Sequence, residues 1–290
     1  MSNSETRKYE ILLAMIISAR ATSFIFSKMI LQSMGAFNLL AIRFIIAFLL
    51  LILIFHKKMK NMTGRTFRAG VVIGVLFFMV MSLEMLALKD AASSLVSLLE
   101  NCAIIFVPLL EILLCKKIPS KMIMLSTIVA MIGVILLAIH QGNLRGGFTY
   151  GLLAGLVYGM AIIVTQKLTY LSDSTLNIGI IQVGTMGIMS LLATVIFEQP
   201  QLPQTGAQWS MILGLIIVCT GFGFTLQPVA QSHVTAERAG IFCALSPAIA
   251  SLLGIVVLHE RLGVIGFVGL ILILLSIIFP YVKGIAMQHS

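Results

Sequence analysis

The sequence predicts an all-α integral membrane protein of ten transmembrane helices, arranged as two inverted five-helix repeats. Three observations predict it. Of the 290 residues, 59% are hydrophobic and only 10% charged, with a mean hydropathy of +1.10. A soluble domain carries about 25% charged residues, so the surplus apolar surface needs lipid around it. The apolar residues fall into ten stretches, about 10–31, 35–55, 67–88, 92–115, 121–139, 147–168, 175–197, 208–229, 237–258 and 262–282. Each is near the roughly 20 residues with which a helix crosses hydrocarbon. Finally, the helical hairpin in Leu245 to Phe267 recurs, degraded, as Ala103 to Met131, at a spacing near 144 residues.

The first span follows MSNSETRKYE without a small-residue cleavage site, so no removable leader is expected. Strands are excluded because the stretches are too long, do not alternate, and would leave unpaired sheet edges in lipid. Interior glycines such as Gly155, Gly159, Gly184, Gly187, Gly214, Gly221 and Gly223 suit membrane helices whose backbones approach closely. Pro108, Pro228 and Pro247 place non-ideal geometry inside the fourth, eighth and ninth spans, since proline removes a helical hydrogen bond. A charged turn, Glu260-Arg261, separates the last two spans, and Lys116-Lys117 stands in its place in the first half.

The halves divide in the loop 140–147, giving repeats at residues 1–143 and 144–290. AFNLLAIRF (36–44) aligns with TLNIGIIQV (175–183), pairing Asn38 with Asn177 and Arg43 with Gln182. SLEMLAL (82–88) aligns with TLQPVAQ (225–231), pairing Glu84 with Gln227. Five spans per unit is an odd number, so the second copy sits upside-down relative to the first. Inverted repeats mark secondary transporters, with the substrate site near the midplane where the repeats meet.

A net charge of +9 would suggest nucleic acid in a soluble protein, but here the basic residues lie in short loops between apolar runs. One face collects Arg7, Lys8, Lys57, Lys58, Lys60, Arg65, Arg68, Lys116, Lys117, Lys121, Lys167, Arg238 and Lys283, against Lys89, Arg145 and Arg261 on the other. By the positive-inside rule both termini are cytoplasmic, as expected for a multi-pass protein of a plasma membrane of the bacterial inner-membrane type. Cys102, Cys115, Cys219 and Cys243 lie in or beside apolar runs with no CxxC spacing and read as small hydrophobes. The five histidines, His56, His140, His233, His259 and His289, occupy loops or tails and never the spacing of a metal site. No cofactor, no metal and no nucleic acid is expected; the oligomeric state stays open, a monomer being compatible with the pattern.

TSFIFSK (22–28), AIRFIIAFLLLI (41–52), LSPAIASLLGIVVLHERL (245–262) and GFVGLILILLSIIF (266–279) resemble, in order and over nearly the whole chain, the drug/metabolite transporter superfamily and its EamA-type ten-helix branch. The resemblance implies transport of small metabolites, often amino acids or related polar compounds and frequently outward, through a central cavity and without ATP hydrolysis. The sequence departs from that pattern at Ala103, where the second copy has Pro247, and at Arg20, where the family usually has a tryptophan.

Ionisable groups at membrane depth need a partner or a wet cavity and are functional candidates by default. Arg20 lies near the middle of the first span and is read as either a substrate-carboxylate ligand or an ion-pair partner. Arg43 is either a structural anchor or a substrate or gate contact, whereas Lys28 is read as snorkelling to an interface. Glu100 and Glu111 are eleven residues apart, nearly on one helical face, with Asn101 beside them. Glu100 is the better substrate or proton site, and Glu111 is read as pairing with Lys116 or Lys117. Glu84 and Gln227 are expected at different gates. Tyr158, Gln166, Gln182, Thr220, Ser246 and Ser251 complete the polar inventory. Both signs together suit a zwitterion such as an amino acid, moved by alternating access, with a glutamate as candidate carrier of a coupling proton. The alternatives are an unrelated drug-like or organic-ion solute and an intramembrane enzyme, the latter disfavoured because no nucleophile, base or ligand set converges.

Overall fold

The computed structural model describes residues 3–60, 62–115, 121–140, 146–170, 172, 174–234, 239, 242, 245–259, 263–272 and 274–276, and every regular element among them is helical. In chain order these are α1 (Asn3–Ile30), α2 (Ala36–Met59), α3 (Gly64–Asp90), α4 (Ser93–Asn101), α5 (Ala103–Cys115), α6 (Lys121–His140), α7 (Gly146–Thr169) and α8 (Thr175–Phe197). Then follow α9 (Gly206–Gly214), a π-helical stretch (Leu215–Phe224), α10 (Thr225–Gln231) and α11 (Leu245–Leu258), and a last apolar helix α12 (Val264–Ser276). Among the described residues, seven helical segments are long and apolar enough to cross a membrane; Met124–Gly133 within α6, α11 and α12 are shorter apolar stretches. The protein is therefore a multi-pass helical membrane protein. Glu237, Arg238, Glu260, Arg261, Lys116, Lys117 and Arg145, for which the sequence predicts helix-end charges, pairing or sidedness, lie outside the described residues.

Helix starts follow local chemistry. Thr63 caps α3 by accepting from the Thr66 amide at 3.2 Å. Thr205 and Gln208 form a reciprocal capping box at α9, satisfying amides that no helical carbonyl can reach. The fourth span is expected as one helix through 92–115, but it breaks at Cys102 between α4 and α5. Two residues account for the break. Pro108 cannot donate to the Ile104 carbonyl and its ring crowds that carbonyl. One turn earlier, the Asn101 side-chain amide takes the Ser97 carbonyl at 2.7 Å, a back-bond that bends helices. The eighth span departs from regularity more gradually, through the ten-residue π stretch.

α2 with α8, α3 with α7 and α1 with α9–α10 pair antiparallel, which the contacts at their ends establish. α3 and α8 instead run parallel, Gly70 meeting Ile178 and Ile181 and Gly74 meeting Thr185. At the far end of the bundle, where α1 finishes, Asn38 Nδ2 donates to the Gln199 carbonyl at 2.8 Å. At the near end Asn177 Nδ2 donates to the Lys58 carbonyl at 3.0 Å. These two aligned asparagines thus clasp α2 to α8 at opposite ends. Gly147 at the start of α7 sits against Ala87 and Ala91 at the end of α3. Gln208 of α9 donates to Ser33 at 2.7 Å, while Tyr9 stacks on His233 beyond α10 with centroids 3.7 Å apart. The packing survives exchange of the halves. The α3–α7 pair answers α1 against α9–α10, α3–α8 answers α2 against the π stretch, α4–α7 answers α1–α11, and α2–α8 and α4–α11 answer themselves.

Small residues permit these approaches. A Cβ at Gly155 of α7 would collide with the Leu99 carbonyl of α4, and one at Gly179 of α8 with the Thr225 carbonyl of α10. Large aliphatic side chains such as Leu53, Leu113, Ile196 and Val264 are instead left outside, as a lipid-facing surface requires.

Candidate functional site

Four charged side chains from four helices are buried together in the middle of the bundle. Arg20 of α1 is 9% exposed, Arg43 of α2 0%, Glu84 of α3 1% and Glu100 of α4 2%. Burial to this degree is tolerable only with partners or a ligand, because an isolated buried charge is very costly.

Arg20 is the hub. Its Nη1 donates to Gln227 Oε1 at 2.7 Å and to Tyr158 Oη at 3.2 Å, and its Nη2 lies 3.9 Å from Glu100 Oε1. The guanidinium rests over the Phe224 ring, 4.1 Å from its centroid, with Tyr158 at 5.4 Å and Phe77 at 5.7 Å. Those rings meet edge to face, Phe77 with Tyr158 and Phe77 with Phe224. A cation over desolvated aromatic faces gains up to about 2 kcal/mol or more. The aliphatic stem of Arg20 packs where a side chain at Gly223 would stand.

Arg43 is held differently. Its Nε donates to Thr220 Oγ1 at 2.7 Å, and its guanidinium carbon lies 5.1 Å from the Phe44 centroid and 5.7 Å from that of Phe224. Nη1 and Nη2 find no hydrogen-bond partner among the described residues. Glu84 and Glu100 lie in electrostatic reach of one another and of Arg20, and Glu84 also in that of Arg43. One oxygen of each, Glu84 Oε1 and Glu100 Oε2, is buried without a hydrogen-bond partner among the described residues, as are Gln227 Nε2 and both amide atoms of Gln182. Each such orphan costs about 1–3 kcal/mol, so a group of them at one depth marks a place made for a polar ligand.

Clefts also lie off this cluster. One of about 530 Å³ follows α1 from the near end, lined by Arg7, Glu10, Ile11, Ala14, Met15, Ser18 and Phe242. Another of about 320 Å³ lies between α2, α8 and the 200–202 segment, lined chiefly by Ala41, Ile42, Ile45, Ile46 and Leu191 with Trp209 at its edge.

With this geometry in view, the comparisons decide the kinship. A model of the EamA-like transporter family matches residues 8–139 and again residues 145–282. The chain belongs to the EamA-like transporter family. It is similar to an uncharacterized transporter of Archaeoglobus fulgidus, with 23% identity over 218 residues, 75% of this chain and 78% of the relative. A solved crystal structure superposes with a TM-score of 0.71 at 14% identity, covering 97% of this chain and 99% of the other; at that identity it speaks to the fold. This EamA-like protein is thus a membrane transporter.

Within it, the sequence-derived candidates divide. Arg20, Glu84, Glu100, Tyr158 and Gln227 meet in one shell, and Arg43 joins it through its electrostatic contact with Glu84 and Arg20. Glu84 and Gln227, expected at separate gates, both face Arg20. Asn101 turns its amide to its own helix. Ser246 of α11 lies 3.4 Å from Ser97 of α4, oxygen to oxygen, a contact between helices rather than with the charged groups. Gln182 is fully buried on α8. Lys28 does not snorkel freely: its Nζ donates to the Ala91 carbonyl at 2.5 Å, capping the end of α3. Phe77 and Phe224, which floor the site, carry no sequence signal beyond lying seven and three residues before the aligned Glu84 and Gln227.

Proposed function

We propose that this transporter moves a small zwitterionic metabolite, an amino acid or a close relative, by alternating access across a plasma membrane. Its ten spans form two inverted repeats, 1–143 and 144–290, with both termini cytoplasmic and export as the working direction. The helix pairs that survive exchange of the halves support the inverted repeat, and the basic bias toward one face supports the orientation.

One observation carries the substrate class. The buried cluster holds unpartnered donors on Arg43 and unpartnered acceptors on Glu84 and Glu100 among the described residues, which is complementary to a molecule with a carboxylate and an ammonium. Arg43 presents two Nη groups in the fork that suits a carboxylate. Gln182 and Gln227 supply neutral amides for the remaining polar atoms, and Phe77, Tyr158 and Phe224 form an apolar wall. The groove along α1 supports a path from the near end. Pro108, Pro228 and the π stretch give the helices that carry these groups irregular segments at which to bend. The match to the EamA-like transporter family supports a reading of transport.

Counterflow of labelled amino acids into proteoliposomes tests this. At least one amino acid exchanges in wild type, and Arg43→Ala abolishes that exchange while the protein still folds. Robust counterflow of another solute, with none for any amino acid, sinks the substrate class.

A further inference from the structure

The groups around the Arg20 guanidinium form a receptor for a cation. The ring of Phe224 lies 4.1 Å from the guanidinium carbon, with Tyr158 and Phe77 at 5.4 and 5.7 Å. Aromatic faces within about 6 Å of one positive charge are the means by which ammonium and guanidinium ligands are recognised. Edge-to-face contacts of Phe77 with Tyr158 and with Phe224 hold the rings in place, and the arginine takes no part in them. Gln227 Oε1 and Tyr158 Oη accept from Nη1, and Glu100 Oε1 lies 3.9 Å from Nη2. The stem is seated as closely as the head. A Cβ at Gly223 would stand 2.8 Å from the Arg20 Cγ, so the missing side chain there is what admits it.

We propose that these groups are an alkylguanidinium-binding site whose ligand is carried on the chain itself, and that Arg20 thereby sets the charge of the cargo. Formally, Arg20 and Arg43 balance Glu84 and Glu100. A solute that brings a positive charge and no carboxylate is a third cation against two carboxylates, and it meets a cage already filled. Wild type therefore excludes organic cations, a selection that follows from charge and holds whichever neutral or zwitterionic solute is moved. Truncating Arg20 at Cβ reverses both conditions. One buried carboxylate loses its compensation, which is costly, and the empty seat has the shape of the atoms removed, an ethyl group on a guanidinium. The groove along α1 reaches Ser18, within one helical turn of position 20, so a small cation has an approach. The truncated protein thus becomes a binder and carrier of ethylguanidinium.

The test compares the full-length wild type with Arg20→Ala, each purified in detergent with ethylguanidinium present and then dialysed free of it. Melting is read against added ethylguanidinium and against ethylurea, its neutral isostere. Millimolar ethylguanidinium restores most of the thermal stability that Arg20→Ala has lost, ethylurea restores none, and wild type responds to neither. In proteoliposomes Arg20→Ala supports counterflow of labelled ethylguanidinium and wild type does not, a gain that removing a merely structural arginine would not confer. Adding Phe224→Leu to Arg20→Ala weakens the binding about tenfold, as loss of a desolvated cation–ring contact requires. Should Arg20→Ala not fold even with the cation present, Arg20→Ala with Glu100→Gln leaves no uncompensated carboxylate beside the seat and carries the same comparison through the rings and Gln227. A folded variant that ethylguanidinium and ethylurea move alike, or a wild type that binds and carries the cation as well as the variant does, overturns the proposal. The measurements use no amino acid, so a failure of amino-acid counterflow is read separately from them.

Discussion

Replacing Arg20 by methionine isolates the hub of the buried cluster. The substitution removes the donors to Gln227 and Tyr158 and the cation 3.9 Å from Glu100, while keeping an unbranched side chain over Phe224. Deleting one partner of a buried ion pair costs about 3–5 kcal/mol, chiefly because the other charge is left without compensation. The 3.9 Å separation is long for a salt bridge, so the lower end applies, and Arg20→Met destabilises by about 3 kcal/mol. The informative comparison is with the double variant, Arg20→Met with Glu100→Gln. It removes both charges, so it is more stable than Arg20→Met alone and yields a coupling energy of about 1–3 kcal/mol. Unfolding by SDS in mixed micelles, with thermal melting as a check, reads all four corners of the cycle. An Arg20→Met protein within about 1 kcal/mol of wild type, or a double variant less stable than the single one, refutes the placement of Arg20 as Glu100's counter-charge.

Three further outcomes follow from the same geometry. Asn38→Ala lowers thermal stability more than Asn177→Ala, because Asn38 bonds the Glu198 carboxylate and the Gln199 carbonyl and accepts from the Gln201 amide. The expected costs, read from melting curves, are about 2–3 kcal/mol against about 1 kcal/mol. Thr220→Val takes from Arg43 the acceptor that holds its Nε and costs about 1.5–3 kcal/mol, and amino-acid counterflow falls with it; unchanged counterflow separates Arg43 from the substrate. Gly155→Ala forces a methyl against the Leu99 carbonyl beside Glu100, lowering stability by about 1–3 kcal/mol; unchanged melting argues against this close approach of α4 and α7.

Much of the fold is legible in the sequence because bilayer thickness sets a length that apolar runs either meet or miss. The long helices α1, α2, α3, α7 and α8 lie where those runs lie. Polar residues at mid-depth are equally visible, since each is an exception in its run, and Arg20, Glu84, Glu100, Tyr158 and Gln227 share a site for that reason. Which way each helix is turned is not visible. Glu84 reads as a gate residue because sequence gives its distance along α3 and withholds its rotation. Glu198, which accepts from Asn38 across 160 positions of chain, gives no local sign of its partner. The break at Cys102 also escapes, because Pro108 announces a kink and the back-bond from Asn101 that displaces it by one turn is a matter of side-chain rotamer.

The ten-residue π stretch amounts to a dislocation in an otherwise regular lattice of backbone bonds. On its line lie Thr220, which holds one guanidinium, and Gly223 and Phe224, which seat the other. Such a defect can glide along a helix by handing each carbonyl from the fifth residue to the fourth, one bond at a time. Each residue that the defect passes turns by about 100° about the helix axis. Gliding through this span would therefore re-address both cations in a single movement, with α1 and α2 standing still.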